Sequence, residues 1–126
     1  TLPEPGARAI VFATPAGHEH EFGILAGALL ALGRGHRAIY LGTNVPTKDL
    51  RSMLAATRAH AVVLGIARDL SAHEAKHFPQ ELASLAEVAE VWMGLPPEMS
   101  DVRLPSEVRR FGSLRELDTA LVGLAT

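Results

Sequence analysis

Short apolar runs alternate along the chain with segments in which apolar residues recur every three or four positions. The runs are bounded by glycine, proline or polar residues, which is typical of strands buried within a parallel sheet. The third run is the most apolar, so we expect it to form the central strand. The five predicted strands cover residues 9–13, 37–41, 61–66, 91–93 and 108–111.

The segments between the strands have the spacing of amphipathic helices. Thr47 is expected to cap the second helix. Residues 71–74, Ser-Ala-His-Glu, form a capping box, but Pro79 is expected to break or kink the helix that follows. We therefore expect a short helical turn and then a helix from about Pro79 to Ala89. The other helices are predicted over residues 22–32 and from a second capping box at residues 113–116.

Alternation of strands and helices requires parallel strands joined by right-handed crossovers. The predicted fold is therefore α/β, a doubly wound, five-stranded parallel sheet of the Rossmann-like or flavodoxin-like kind. Composition changes little along the chain, so residues 1–126 are expected to form a single domain. Ligands of such sheets bind outside the carboxyl ends of the strands, which directs attention to the loops after strands one, three and four.

Composition excludes several classes of protein. The 126 residues are 48% hydrophobic and 21% charged, which disfavours a disordered chain, and the net charge of −2 means that any DNA contact requires another segment. No apolar run approaches the ~20 residues of a membrane span, and the absence of cysteine fits a cytoplasmic location. The first residues, Thr-Leu-Pro-Glu-Pro, lack the features of a signal peptide. The missing initiator Met leads us to expect a fragment of a longer protein.

The loop after the first strand is the most informative stretch, because residues 14–23 place two histidines and two glutamates where this architecture binds ligands. A neutral imidazole such as that of His20 can bind a metal through one ring nitrogen while an acceptor holds the other N–H. The alternative is a solvated helix entry in which Glu19 and Glu21 interact favourably with the helix dipole.

Residues 13–23, 31–35 and 40–46 resemble the cobalamin-binding domain, most closely the version carried by MerR-type light- or cobalamin-responsive transcription regulators. The family signature is an acidic residue, any residue, His, two further residues and Gly, and His20 and Gly23 match it. The resemblance implies that His20 is the lower axial ligand of the corrinoid cobalt. The other residues implied at the site are Thr14, Pro15, His18, Glu19, Phe22, Ala67, Gly94 and Leu95.

The chain departs from the family pattern at three places. His18 occupies the acidic position, which removes a carboxylate that supports the ligand histidine. Ala67 stands where a serine of the turn after strand three is expected. Gly94 is retained from the paired glycines after strand four, but Leu95 adds a side chain where the nucleotide tail of the corrinoid is expected to pass.

The resemblance implies a ligand-sensing module of a transcription regulator, not an enzyme, that binds adenosyl- or methylcobalamin. Its partners would be the corrinoid, further copies of the chain, and an N-terminal DNA-binding segment and helical bundle that this chain lacks. One alternative is a corrinoid carrier for methyl transfer, although such carriers usually have Gly-Lys where this chain has Gly23-Ile24. Another is a degenerate domain that binds a bilin or haem, or that acts only in dimerisation.

Residues 73–77, His-Glu-Ala-Lys-His, match the zinc-protease pattern. We expect a solvated helix edge instead, because Pro79 should end the helix directly after the second histidine and no wall of a peptide cleft is evident. His36 and His60 open strands two and three and are expected at surface or edge positions.

Overall fold

The computed structural model describes residues 7–125. Residues 1–6 and residue 126 lie outside the described residues. Residues 1–6 include the start of the chain that was examined for a signal peptide. The strands are β1 (Ala9–Pro15), β2 (Arg37–Val45), β3 (Ala61–Gly65), β4 (Glu90–Gly94) and β5 (Arg109–Phe111). The helices are α1 (Phe22–Gly33), α2 (Thr47–Thr57), α3 (Ala72–Ala86) and α4 (Leu114–Ala125), with a 3-10 turn at Pro97–Met99.

The five strands form one sheet in the order β2-β1-β3-β4-β5, and every pair is parallel. The predicted doubly wound fold is therefore confirmed, with β3 at the centre as expected. Strand order reverses between β1 and β3, which is the switch point at which such sheets hold ligands. Among the described residues, no helix has the length and apolar character that crossing a membrane requires.

Each face of the sheet has its own hydrophobic cluster, because successive side chains of a strand point to opposite faces. Alpha helices α2 and α3 cover one face, where Leu54 and Leu82 pack against Val62 and Met93. Helices α1 and α4 cover the other, where the fully buried Trp92 belongs to a cluster with Phe12, Ile24, Ala28, Phe111 and Leu121.

The predicted break at Pro79 is wrong, since α3 runs from Ala72 to Ala86 with the proline inside it. A proline inside a helix removes one hydrogen bond and costs about 3 kcal/mol. Phe78 and Leu82, on either side of it, are both buried against the sheet. Burial of two such side chains contributes about 3–6 kcal/mol, which offsets the cost and holds both halves in one helix.

Two helix starts differ from the predictions. Thr47 is the first residue of α2 rather than its cap, because extended Pro46 precedes the helix and its carbonyl accepts the first-turn bond from the Leu50 N–H at 3.0 Å. At α4, Ser113 Oγ accepts from the Glu116 N–H at 3.2 Å, as predicted. The carboxylate of Glu116, however, accepts from the Gly112 N–H at 2.8 Å, one residue before the cap.

His36 is not at the surface as predicted but only 3% exposed. Its Nδ1 accepts from the backbone N–H of Arg8 at 3.0 Å, and its Nε2 donates to the carbonyl of Leu121 at 2.7 Å. These two bonds require the neutral tautomer with hydrogen on Nε2. The side chain therefore ties the start of β1 to α4, which is a structural role.

Candidate functional site

A cavity of about 370 Å³ opens at the carboxyl edge of the sheet, between the ends of β3 and β4 and the first turns of α1 and α4. Its volume lies at the small end of the range for ligand pockets, ~300–1,000 Å³. The wall is mostly apolar and includes four glycines, at positions 23, 65, 94 and 112. Six residues that sequence analysis singled out line it: His20, Phe22, Gly23, Ala67, Gly94 and Leu95.

His20 and Phe22 stand at the entry to α1, where the chain leaves the loop and begins the helix. Both side chains are exposed, Phe22 at 81%. A Cβ at Gly23 would meet no atom within 4 Å, so the surface beside them is open. The arrangement presents an unburied imidazole and an aromatic ring at the cavity mouth.

Two strand-end glycines keep the interior of the cavity open. A Cβ on Gly65 would lie 3.0 Å from Cγ2 of Ile24, and one on Gly94 would lie 3.8 Å from the carbonyl oxygen of Leu64. Sequence analysis retained Gly94 but missed Gly65. The signal that it overlooked was a glycine closing the most apolar strand, at the edge of the sheet that binds ligands.

Leu95 follows β4 on the side of the sheet opposite to Gly94. Its side chain is 5% exposed and belongs to the cluster with Met93 and Met99, under α2 and α3. Alternation along the strand accounts for this direction. The cavity beside Gly94 stays open although Leu95 contributes to its wall, and Ala67 is exposed at its rim.

His18 turns away from the cavity and is 3% exposed. Its Nε2 donates to Oε2 of Glu74 at 3.0 Å, while Nδ1 is buried without a hydrogen-bond partner. Burial lowers the pKa of His18, and the nearby Arg68 guanidinium lowers it further. The ring is therefore held neutral, and its free nitrogen is a lone-pair acceptor.

Glu74 is the centre of a polar cluster that it forms with His18 and Arg68. Sequence analysis assigned Glu74 only to a capping box and to a rejected zinc pattern. Arg68 donates to its two carboxylate oxygens at 2.8 and 3.0 Å. These bonds lower the pKa of Glu74 to about 2. The predicted capping box is also present, with Ser71 Oγ accepting from the Glu74 N–H at 3.1 Å.

Thr14 and Pro15 brace the loop instead of lining the cavity, and both are buried. Thr14 Oγ1 donates to the carbonyl of His18 at 2.5 Å and accepts from the N–H of Asn44 at 2.9 Å. Asn44 in turn accepts through Oδ1 from the Gly17 N–H at 2.7 Å. These bonds fix the loop from which His20 projects.

The two glutamates of the loop are both exposed. Glu19 lies outside the cavity wall. Glu21 accepts from the hydroxyl of Tyr40 on β2, and this bond raises the pKa of Tyr40 to about 12. The carboxylate of Glu21 is thereby oriented at the start of α1.

The zinc-protease pattern does not assemble a metal centre. His73 and His77 lie one turn apart on the exposed side of α3 with ring centroids 4.4 Å apart. Glu74 points instead to His18 and Arg68. Within residues 7–125, no group of three or more His, Asp or Glu side chains is placed to hold a metal ion.

No family model matches the chain, and neither does any curated protein sequence. Solved structures of similar fold include a cobalamin-binding protein from Desulfitobacterium hafniense DCB-2, with a TM-score of 0.72 and 16% identity over 94% of this chain. A chain of the methanol:cobalamin methyltransferase complex from Methanosarcina barkeri gives a TM-score of 0.74 and 12% identity over 98% of this chain. The present chain spans 59% and 49% of those two chains.

A third similar structure is a diflavin flavoprotein from a Nostoc species, with a TM-score of 0.53 and 12% identity over 94% of this chain and 92% of that one. The fold thus occurs in proteins named for different cofactors, and the choice of ligand has to be argued from the site. What these likenesses show is a flavodoxin-like α/β fold that this chain shares with cobalamin-binding proteins.

Proposed function

We propose that this chain binds a corrinoid, with His20 as the lower axial ligand of cobalt and the glycine-lined cavity as the slot for the nucleotide tail. The observation that carries the proposal is the position of His20. Its exposed imidazole stands at the mouth of an apolar cavity, at the sheet edge where doubly wound folds bind ligands. Two of the three structures compared above are named for cobalamin, which supports the same ligand.

The residues present fit such a ligand. Gly65 and Gly94 leave space in the interior of the cavity, and the Leu95 side chain packs mainly in the cluster on the other side of the sheet, although the residue contributes to the wall. The wall is apolar, which suits an aromatic base. A bound corrinoid supplies cobalt-centred chemistry that amino-acid side chains lack.

The chain itself binds and orients. Thr14 and Asn44 fix the backbone of the loop, so that His20 approaches from a defined direction. A metal-bound imidazole normally donates its second N–H to an acceptor. His18, at the acidic position of the signature two residues away, does not offer one in this structure, because its ring turns to Glu74 and its Nδ1 is buried.

The test is an absorption titration of the chain with hydroxo-, methyl- and adenosylcobalamin. We expect the spectrum of a histidine-ligated corrinoid, and His20→Ala should abolish that spectrum. His73→Ala removes another exposed imidazole outside the cavity and is the matched control. Flavin mononucleotide, haem and a bilin are titrated in parallel. Binding of one of these but no corrinoid, or a His20→Ala spectrum equal to that of the unaltered chain, would overturn the proposal.

The biological role that we propose is ligand sensing within a transcription regulator, as the sequence resemblance implies. In that role the chain performs no catalysis, and a DNA-binding segment outside it provides the output. Carriage of methyl groups is the second candidate, favoured by the likeness to a chain of a methyltransferase complex. Illumination of the chain loaded with adenosylcobalamin distinguishes the sensor role from the carrier role. A sensor should change its sedimentation coefficient, whereas a carrier should keep it and give up the methyl group of bound methylcobalamin to a partner methyltransferase.

A further inference from the structure

The outward face of α1 is apolar along its whole length. Phe22, Leu25, Leu29 and Leu32 are 81%, 46%, 63% and 56% exposed, which is unusual for large apolar side chains on one helix. The helix contains no charged residue between its first and last positions. Leu114 of α4 lines a groove together with Leu29, so the apolar face continues onto the neighbouring helix.

The spacing of these residues indicates what kind of surface covers them. Intervals of three, four and three residues are those of the a and d positions of a heptad, which pack against a second helix. An antiparallel copy of α1 across a twofold axis would place Phe22 opposite Leu32 and Leu25 opposite Leu29. The stripe is therefore complementary to itself in size and chemistry.

The charges that flank α1 are also complementary across such an axis. Glu21 precedes the helix, and its carboxylate is oriented by Tyr40. Arg34 follows the helix, is 47% exposed, and is held by Asp118 at 2.7 and 2.8 Å. In the antiparallel arrangement, Glu21 of each copy meets Arg34 of the other. A parallel arrangement would oppose like charges at both ends.

We propose that the chain forms an antiparallel dimer through the α1 stripe, Phe22, Leu25, Leu29 and Leu32. Helices α1 and α4 together present a footprint of roughly 360 Å², from about 18 Å of length and about 10 Å of width each. That is below the ~800 Å² per partner of a standard interface, so we expect a weak dimer that dissociates on dilution. Phe22 also lines the cavity mouth, but association of the ligand-free chain does not rest on the proposed corrinoid binding.

Sedimentation equilibrium of the ligand-free chain, from about 1 µM to about 1 mM, tests the association. We expect a monomer–dimer equilibrium, and Leu29→Glu should weaken it about 10-fold or more, because a charge would be buried. Ser52→Glu adds the same charge on α2, across the sheet, and should leave it unchanged. Circular dichroism confirms that both variants are folded. The proposal is overturned if the chain stays monomeric throughout this range, in which case another partner would cover the stripe. It is also overturned if Leu29→Glu and Ser52→Glu change the monomer–dimer equilibrium equally.

Cysteine cross-linking tests the orientation, because the native chain contains no cysteine. Leu25→Cys and Leu29→Cys variants are mixed and oxidised at the dimer-forming concentration. An antiparallel stripe places these two positions opposite each other, so the mixed disulfide should predominate over both homodisulfides. Predominance of the homodisulfides would contradict the antiparallel arrangement. Neither experiment uses a corrinoid, so failure of the proposed function would leave these results unaffected.

Discussion

The Nε2 atom of His18 lies 3.0 Å from Oε2 of Glu74, and this bond joins the loop after β1 to the first turn of α3. The two residues are 56 positions apart in the chain. Arg68, in the loop after β3, completes the cluster by donating to both oxygens of Glu74 and to the carbonyl of Gly17. Two loops at the carboxyl edge of the sheet and the start of α3 are thereby held together beside the residue that we propose as the cobalt ligand.

Glu74→Gln should destabilise the fold by about 1–2 kcal/mol at neutral pH. The variant loses the charge of a carboxylate that Arg68 and His18 bind, and the partial exposure of Arg68 limits the effect. Urea unfolding of both proteins at pH 7 measures the difference. Glu81→Gln, on the exposed side of the same helix, is the control and should change stability by less than about 0.5 kcal/mol.

The free energies of unfolding of the native chain and Glu74→Gln should become equal in acid. The pKa of Glu74 is lowered from 4.5 to about 2, chiefly by its hydrogen bonds with Arg68. A lowered pKa stabilises the fold above pH 4.5, and this contribution is lost as the pH falls towards 2. The difference in unfolding free energy between the native chain and Glu74→Gln should therefore shrink across that window. A difference independent of pH would show that the carboxylate charge is irrelevant.

His18→Asp restores an acidic residue at the first position of the family signature, but it should be poorly tolerated here. The new carboxylate would lie in the buried position beside the carboxylate of Glu74, and two like charges placed there oppose each other. We expect a loss of about 2 kcal/mol or more relative to His18→Asn, which has the same size without the charge. Adding Glu74→Gln to His18→Asp should recover most of that loss, and a double-mutant cycle from thermal unfolding measures the coupling.

The strands were predictable because buried parallel strands are apolar on both faces, so their runs stand out without knowledge of their neighbours. The end of β2 was not, since its pairing with β1 continues to Val45 through two register shifts, one on either side of Gly42. Pro79 misled the prediction because local propensity says nothing about the buried side chains that hold α3 against the sheet.

Site residues were predictable where their place at the end of a strand determines their role. They were not predictable where the role depends on contacts with distant residues. His20 and Gly94 lie at strand ends that the topology brings together, and both line the cavity. The roles of Glu74 and Arg68 depend on a partner on another element, which no local pattern reveals. The direction of Leu95 follows from strand alternation, once β4 is known to extend to Gly94.

Gly27→Ala should destabilise the fold although alanine favours helices. A Cβ at this position would lie 3.0 Å from Cδ2 of Leu117 and 3.1 Å from Cε1 of Phe12, both buried side chains. Overpacking costs about 1–3 kcal/mol, more than the ~1 kcal/mol gained in helix propensity. Gly33→Ala is the control, because a Cβ there meets nothing within 4 Å. Thermal unfolding should show a lower Tm for Gly27→Ala and an unchanged or higher Tm for Gly33→Ala.

Two variants at adjacent residues should have different effects: Gly94→Val should weaken corrinoid binding, whereas Leu95→Ala should lower the stability of the fold. A Cβ on Gly94 meets no atom closer than 3.8 Å, and valine favours strands, so the fold should tolerate a side chain that projects into the cavity. Affinity for hydroxocobalamin should fall about 10-fold or more, because the proposed slot is narrowed. Leu95→Ala instead empties part of the cluster on the other side of the sheet and should cost about 2–4 kcal/mol of stability with little change in affinity.

Absorption titration measures the affinity of both variants for hydroxocobalamin, and urea unfolding measures their stability. Unchanged binding by Gly94→Val would place the corrinoid tail elsewhere, while loss of binding by a folded Leu95→Ala would show that the wall contact of Leu95 holds the tail.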